Sequence, residues 1–244
     1  MAVKGVTESL WRGTLIACLL WLAVGCAWGF LSLVNFGYPL IYEWIDIDQT
    51  IATYAPLNRY KKGLDPSDRS EHQRLFGAIA SAINHGGRGL SDISYRHTAT
   101  GQPSALLREA EIQHLQDVAQ LVTAFRWSCY VALLLLLYLA FSRRCTISPP
   151  RVARALAATL GTLLILGGLI WLTGAERLFY ALHELAFREH QWFFYYRDSY
   201  MTTLMQAPNL FAWIAAFIAG LAALLFTVGL IGWNRICRRA VHTG

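Results

Sequence analysis

Apolar positions cluster in four long runs, 11–34, 120–141, 155–173 and 210–233, separated by stretches rich in polar residues. Each run reaches the roughly 20 residues that a helix needs to cross the hydrocarbon core of a bilayer. The pattern predicts an all-α membrane protein with four transmembrane helices. A long connection, 35–119, follows the first span, a short link, 142–154, follows the second, and a shorter polar segment, 174–209, follows the third.

The connections carry patterns of their own. Pro66-Ser67-Asp68 reads as a helix start, and Leu75, Phe76, Ile79 and Ile83 form an apolar stripe at helical spacing. Asn84 with Gly86-Gly87 stops that helix, Ile93, Tyr95 and His97 alternate like a short strand, and 100–103 makes a turn. Ser104 then caps a helix, ALLREAEIQHLQDVAQL, that runs without a breaker into the second span. A helix from 105 to 141 would measure roughly 55 Å, so its first third projects above the bilayer. Residues 35–119 therefore form a small mixed cap. In 174–209, Leu178, Leu182, Leu185 and Ala186 share one helical face, with Arg177 and Glu184 off it, which predicts an interfacial amphipathic helix. The five rings of 192–196 follow, where aromatics favour the headgroup layer.

Composition agrees with this layout, because 55% of the 244 residues are hydrophobic. Charge adds orientation. Lys4, Arg12, Arg143, Arg144, Arg151, Arg154, Arg235, Arg238 and Arg239 sit in the tails and the short link, accompanied by Glu8 alone among the carboxylates. Basic short loops stay cytoplasmic, so both termini are expected inside and both long connections outside. The net charge of +6 follows from that topology, and no nucleic-acid partner is read from it. LAVGC at 22–26 faintly resembles a lipoprotein processing site, but the apolar run continues past Cys26, so a retained span is expected rather than a cleaved leader. Cys18, Cys26 and Cys129 fall in spans, and Cys145 and Cys237 on the cytoplasmic side. An external disulfide framework or thiol nucleophile is thereby excluded.

Proton-exchanging groups outside are His72, His85, His97, His114, His183 and His190. His114 lies just above the second span and His183 just after the third, at one expected membrane depth, which is how helices from different parts of a chain build a site. Glu111 and Asp117 flank His114 on its helix. On the residues alone a solvated face for His114 and an interfacial ring for His183 are the leading readings, and the other four histidines read as surface. Arg126 lies inside the second apolar run, where a charge either snorkels upward or lines a polar cavity. No HExxH or CxxC spacing points to a metal, and no GxSxG elbow to a serine hydrolase.

EIQHLQDV, 111–118, resembles the E-x-x-H-x-x-D-V motif of the lipoprotein intramolecular transacylases, known as Lit. LHELAFREHQW, 182–192, resembles that family's aromatic-His-x-x-x-Phe-x(4)-Trp signature, with Phe187, Trp192, Asp198 and Pro208 in matching places. Leu182 stands where the pattern has Phe, and the interval from Trp192 to Pro208 is about two residues longer. The resemblance implies a bacterial inner-membrane acyltransferase with its site on the extracytoplasmic side. It would move the sn-2 acyl chain of a diacylglyceryl-cysteine lipoprotein to that cysteine's α-amino group, yielding a lyso-form lipoprotein. It further implies catalysis by His114 and His183, taken as base and acid with the order open, and partners that are diacylglyceryl-modified lipoproteins and membrane lipids. Glu111, Asp117, Arg126, Trp192 and Asp198 would support them, with no cofactor or metal. The alternatives are a non-catalytic lipid-binding or assembly protein and a histidine-rich metal sensor.

Overall fold

The computed structural model describes residues 2–143, 152–187 and 191–242. In chain order its elements are α1 (Ala2–Leu33), α2 (Tyr38–Trp44), α3 (Ile47–Tyr54), α4 (Arg69–Asn84), β1 (Ser94–Arg96), β2 (Pro103–Ala105), α5 (Glu109–Arg143), α6 (Val152–Thr173), α7 (Ala175–Ala186), α8 (Tyr200–Met205) and α9 (Ala207–His242). Among the described residues, three helices are long and apolar enough to cross a membrane, over Ser9–Leu33, Glu109–Phe141 and Ala207–Arg235. The fourth expected span, 155–173, is helical as α6, but several of its side chains lie outside the described residues. Most of the link 142–154, with Arg144, Cys145 and Arg151, also lies outside them, as does His190.

The chain divides into two compact units. One comprises Met1–Phe30, Phe125–Leu169 and Ala216–Gly244. Its α1 and α9 meet through small residues, with Ala23, Ala27 and Ala222 beside Phe226 and Leu230. Lipid is as apolar as leucine, so helices in a bilayer associate where small side chains let backbones approach. Gly25 shows how close α1 and α5 come, since a Cβ there would lie 2.7 Å from the Cys129 Sγ. A polar clasp reinforces the pair, Trp21 Nε1 donating to the Ser128 hydroxyl at 2.8 Å.

The other unit comprises Leu31–Ala124 and Ile170–Ala215. Tyr38, Ile41, Ile47, Ile51, Leu75, Ile79, Leu106 and Leu204 are fully enclosed in its core. Tyr38 stacks on Phe76 at 4.0 Å and donates its hydroxyl to the Leu204 carbonyl at 2.7 Å, fastening α2 to α4 and α8. Asp68 caps α4 by accepting from the Glu71 N–H at 3.0 Å, and Gly86 and Gly87 leave that helix with positive φ. Gln206, at φ +41°, separates α8 from α9, and its side-chain amide donates to the Ile45 and Asp46 carbonyls and to the Thr50 hydroxyl. The left-handed break is thus held by three acceptors.

Ser104 does not cap a helix. It pairs with Tyr95 in the β1–β2 ribbon, and α5 starts later, at Glu109. Glu111 does the capping, its carboxylate accepting from the Arg108 N–H at 2.6 Å, the reach-back half of a capping box. A serine ahead of a helical pattern serves either geometry. The strand at 93–97 and the turn at 100–103 are the local signals that favour the ribbon over the cap.

Candidate active site

His114 rides on the projecting first turns of α5, and His183 on the last turn of α7. The fold brings their rings to 5.9 Å between centres. Aromatic side chains hold both. Phe187 meets His114 edge-on at 4.8 Å and lies 5.3 Å from His183. Phe179 covers His183 at 3.9 Å, Trp192 approaches it at 5.3 Å, and Phe194 lies 6.1 Å from His114. His114 is buried and His183 half-buried, so the pair sits in largely apolar surroundings.

Hydrogen bonding distinguishes the two rings. A carbonyl can only accept, so the 2.8 Å contact between His183 Nδ1 and the Phe179 oxygen places the ring proton on Nδ1. Nε2 of His183 then carries a free lone pair. Burial pushes the His183 pKa down, with the bond to the Phe179 carbonyl pulling partly back, so the neutral base is favoured near neutrality. His114 Nδ1 is buried with no hydrogen-bond partner among the described residues. An orphaned buried donor is rarer than an orphaned acceptor, so we assign the His114 proton to Nε2.

The supporting residues divide. Trp192 is at the pair. Glu111 is fully buried, but it engages the Arg108 backbone and guanidinium and the Ser199 side chain, and no hydrogen bond joins it to His114 Nδ1. Asp117 is half-buried one turn along α5 and likewise makes no bond to that nitrogen. Asp198 binds Arg59 through both oxygens, at 2.5 and 2.6 Å, and so fastens the second connection to the segment after α3. Arg126 is exposed and belongs to the first unit, while the pair belongs to the second.

Sequence reasoning missed Phe194 and Arg108. Along 192–196 the residues alternate, with Trp192, Phe194 and Tyr196 turned inward and Phe193 and Tyr195 exposed. A run made only of rings has no polar contrast, so this extended period is invisible in the sequence. Arg108 lies over both Tyr60 and Phe194, at 4.7 and 5.7 Å, and therefore shares a ring with His114.

His72 is a correction. It is fully enclosed, not a surface residue, with Nε2 donating to the Asp65 carbonyl at 2.8 Å and Nδ1 meeting the Tyr42 hydroxyl at 2.9 Å. Its position three and four residues before Leu75 and Phe76 places it on the apolar stripe, a signal the sequence did carry. His85 is exposed, and His97 is half-buried against Gly63, where an added Cβ would meet its ring at 2.6 Å. Among the described residues no three His, Cys, Asp or Glu side chains converge as a metal site would require.

Residues 95–208 match the family of the lipoprotein intramolecular transacylase Lit. The fold is similar to that of the membrane-integral lipoprotein intramolecular transacylase Lit from Bacillus cereus, solved in meso as a histidine-to-arginine variant. The TM-score is 0.60 and the identity 13%, over 99% of this chain and 95% of that one. At that identity the likeness speaks for the fold. No curated protein matches the sequence.

Proposed function

We propose that this chain, whose residues 95–208 match the Lit family of lipoprotein intramolecular transacylases, moves the sn-2 acyl chain of a diacylglyceryl-cysteine lipoprotein onto the cysteine's own α-amino group. The reading places the site on the extracytoplasmic face of a bacterial inner membrane, at the depth where a lipid ester meets water. The observation that carries it is the 5.9 Å pairing of His114 and His183, one with a free Nε2 lone pair.

The chemistry balances without a cofactor. The amine nitrogen attacks the ester carbonyl and forms the amide C–N bond, while the bond from that carbonyl to the glyceryl oxygen breaks. The amine loses one proton and the glyceryl oxygen gains one. An α-amino group has a pKa near 8, so at neutral pH it must shed a proton before or during attack. His183 Nε2 takes the proton from the attacking nitrogen and returns it to the departing oxygen. His114, neutral and buried, offers its Nε2–H to the oxygen that gains charge. The order of base and acid, left open by the resemblance, is assigned on the bond from His183 Nδ1–H to the Phe179 carbonyl. Nucleophile and ester belong to one molecule, so holding them together supplies the effective concentration. Arg108, through the ring it shares with His114, brings a positive charge near the pair.

His114→Ala and His183→Ala test the reading. Each variant is expected to fold and to convert a diacylglyceryl reporter lipopeptide roughly 10²- to 10⁴-fold more slowly, the scale of a lost proton-transfer catalyst. Mass spectrometry of the reporter, locating the acyl chain on nitrogen, is the measurement. Unchanged conversion in both variants refutes the assignment and returns the pair to a structural role in a lipid-binding protein.

A further inference from the structure

Away from the histidines, the second unit holds a cavity of about 420 Å³ lined by Tyr54, Arg59, Tyr195, Tyr196 and Arg197. We propose that this cavity binds the phosphate of an anionic glycerophospholipid, with the tyrosine rings against the lipid's glycerol and upper acyl carbons.

The residues are built into place. Tyr54 stacks on Tyr196 at 4.9 Å, which makes a flat apolar wall. The Arg59 N–H donates to the Arg197 carbonyl at 2.8 Å, so the two arginines come from adjoining backbones. Asp198 occupies Nε and one Nη of Arg59. A guanidinium has five N–H donors, so three remain for a ligand on a side chain already held still. Arg197 has no ion-pair partner among the described residues and is exposed. With Asp198 balancing Arg59, the cavity keeps the positive charge of Arg197. Glu176, whose charge reaches the Tyr196 phenol, is exposed and screened by water.

That combination selects a chemistry. Guanidinium forks match phosphate oxygens in pairs, and phenol hydroxyls add further donors. Free phosphate would use the arginines but not three ring faces, whereas a phospholipid uses both. The exposed Phe193 and Tyr195 beside the cavity suit the membrane interface in which such a lipid lies. A diacylglyceryl cysteine carries no phosphate, so this cavity is not a second view of the proposed reaction site.

The test uses the full chain in nanodiscs of phosphatidylcholine containing a minority of phosphatidylglycerol, released and weighed by native mass spectrometry. Retained phosphatidylglycerol is expected to exceed retained phosphatidylcholine relative to the input. Arg197→Gln should lower that retention roughly tenfold, the worth of one charge-assisted contact, and Arg197→Lys should restore part of it. Arg88→Gln, at another exposed arginine, should leave it unchanged. Equal retention of the two lipids, or no change in Arg197→Gln, overturns the proposal. Displacement of the lipid by inorganic phosphate at concentrations where glycerophosphate is no more effective overturns its lipid part and leaves a simple anion site. No step of this measurement depends on turnover, so its failure and that of the transacylase reading are distinguishable.

Discussion

His183 can serve as acceptor only while its Nε2 is unprotonated, which makes pH a probe of one atom. Burial lowers the pKa of this ring below the ordinary value of 6.5. The active neutral form therefore predominates at pH 7 and is lost only as pH falls through the depressed value. NMR of the histidine-labelled protein, with the His183 signal assigned by its loss in His183→Ala, is expected to give that ring a titration midpoint below 6.5. A midpoint above 6.5 would contradict the burial. At this scale the sequence was informative where a residue had a chemical identity and silent where its partner was a backbone atom. His114 and His183 stood out, but nothing local announced that Phe179 would supply the carbonyl that fixes the tautomer. Glu111 stood out equally, and the structure uses its carboxylate on its own helix start.

At the scale of elements, packing rests on the absence of a side chain as much as on its presence. The contact of α1 with α5 leaves no room at Gly25, where a Cβ would lie 2.7 Å from Cys129 Sγ. Gly25→Ala is expected to destabilise the protein by about 1–3 kcal/mol, the usual cost of overpacking. Cys129→Ala should relieve most of it, because the next atom, Cys129 Cβ, would be an ordinary 3.6 Å away. Thermal unfolding of the single and double variants in detergent measures the coupling, and simple additivity would rule the contact out as the cause. Long apolar helices were readable because their signal repeats over many turns, as α1 and α9 show. The beginning of α5 was misread, although the strand at 93–97 and the turn at 100–103 already favoured the ribbon that pairs Ser104 with Tyr95. The α7 helix was legible from Leu178, Leu182 and Leu185 alone, all of which are exposed.

For the whole molecule, the distribution of charge makes a topological prediction that labelling can check. In a background without the five native cysteines, Ser67→Cys in the expected outer connection should react with an impermeant maleimide in intact cells. His242→Cys at the end of α9 should react only after lysis. The reverse pattern would invert the topology and move the histidine pair to the cytoplasmic side. Arginines near short links speak directly to orientation, whereas no such rule tells which distant residues meet inside the polar unit. That is why Arg59 and Asp198, joined through both carboxylate oxygens, could not be paired from sequence.

The leucines of α7 point away from the protein while its last turn carries His183. On the proposed reading those leucines enter the outer leaflet, so the depth of the imidazole follows the depth of the helix. Changes in fatty-acid length or fluidity made by the host in cold or heat would then retune turnover with no alteration to the polypeptide.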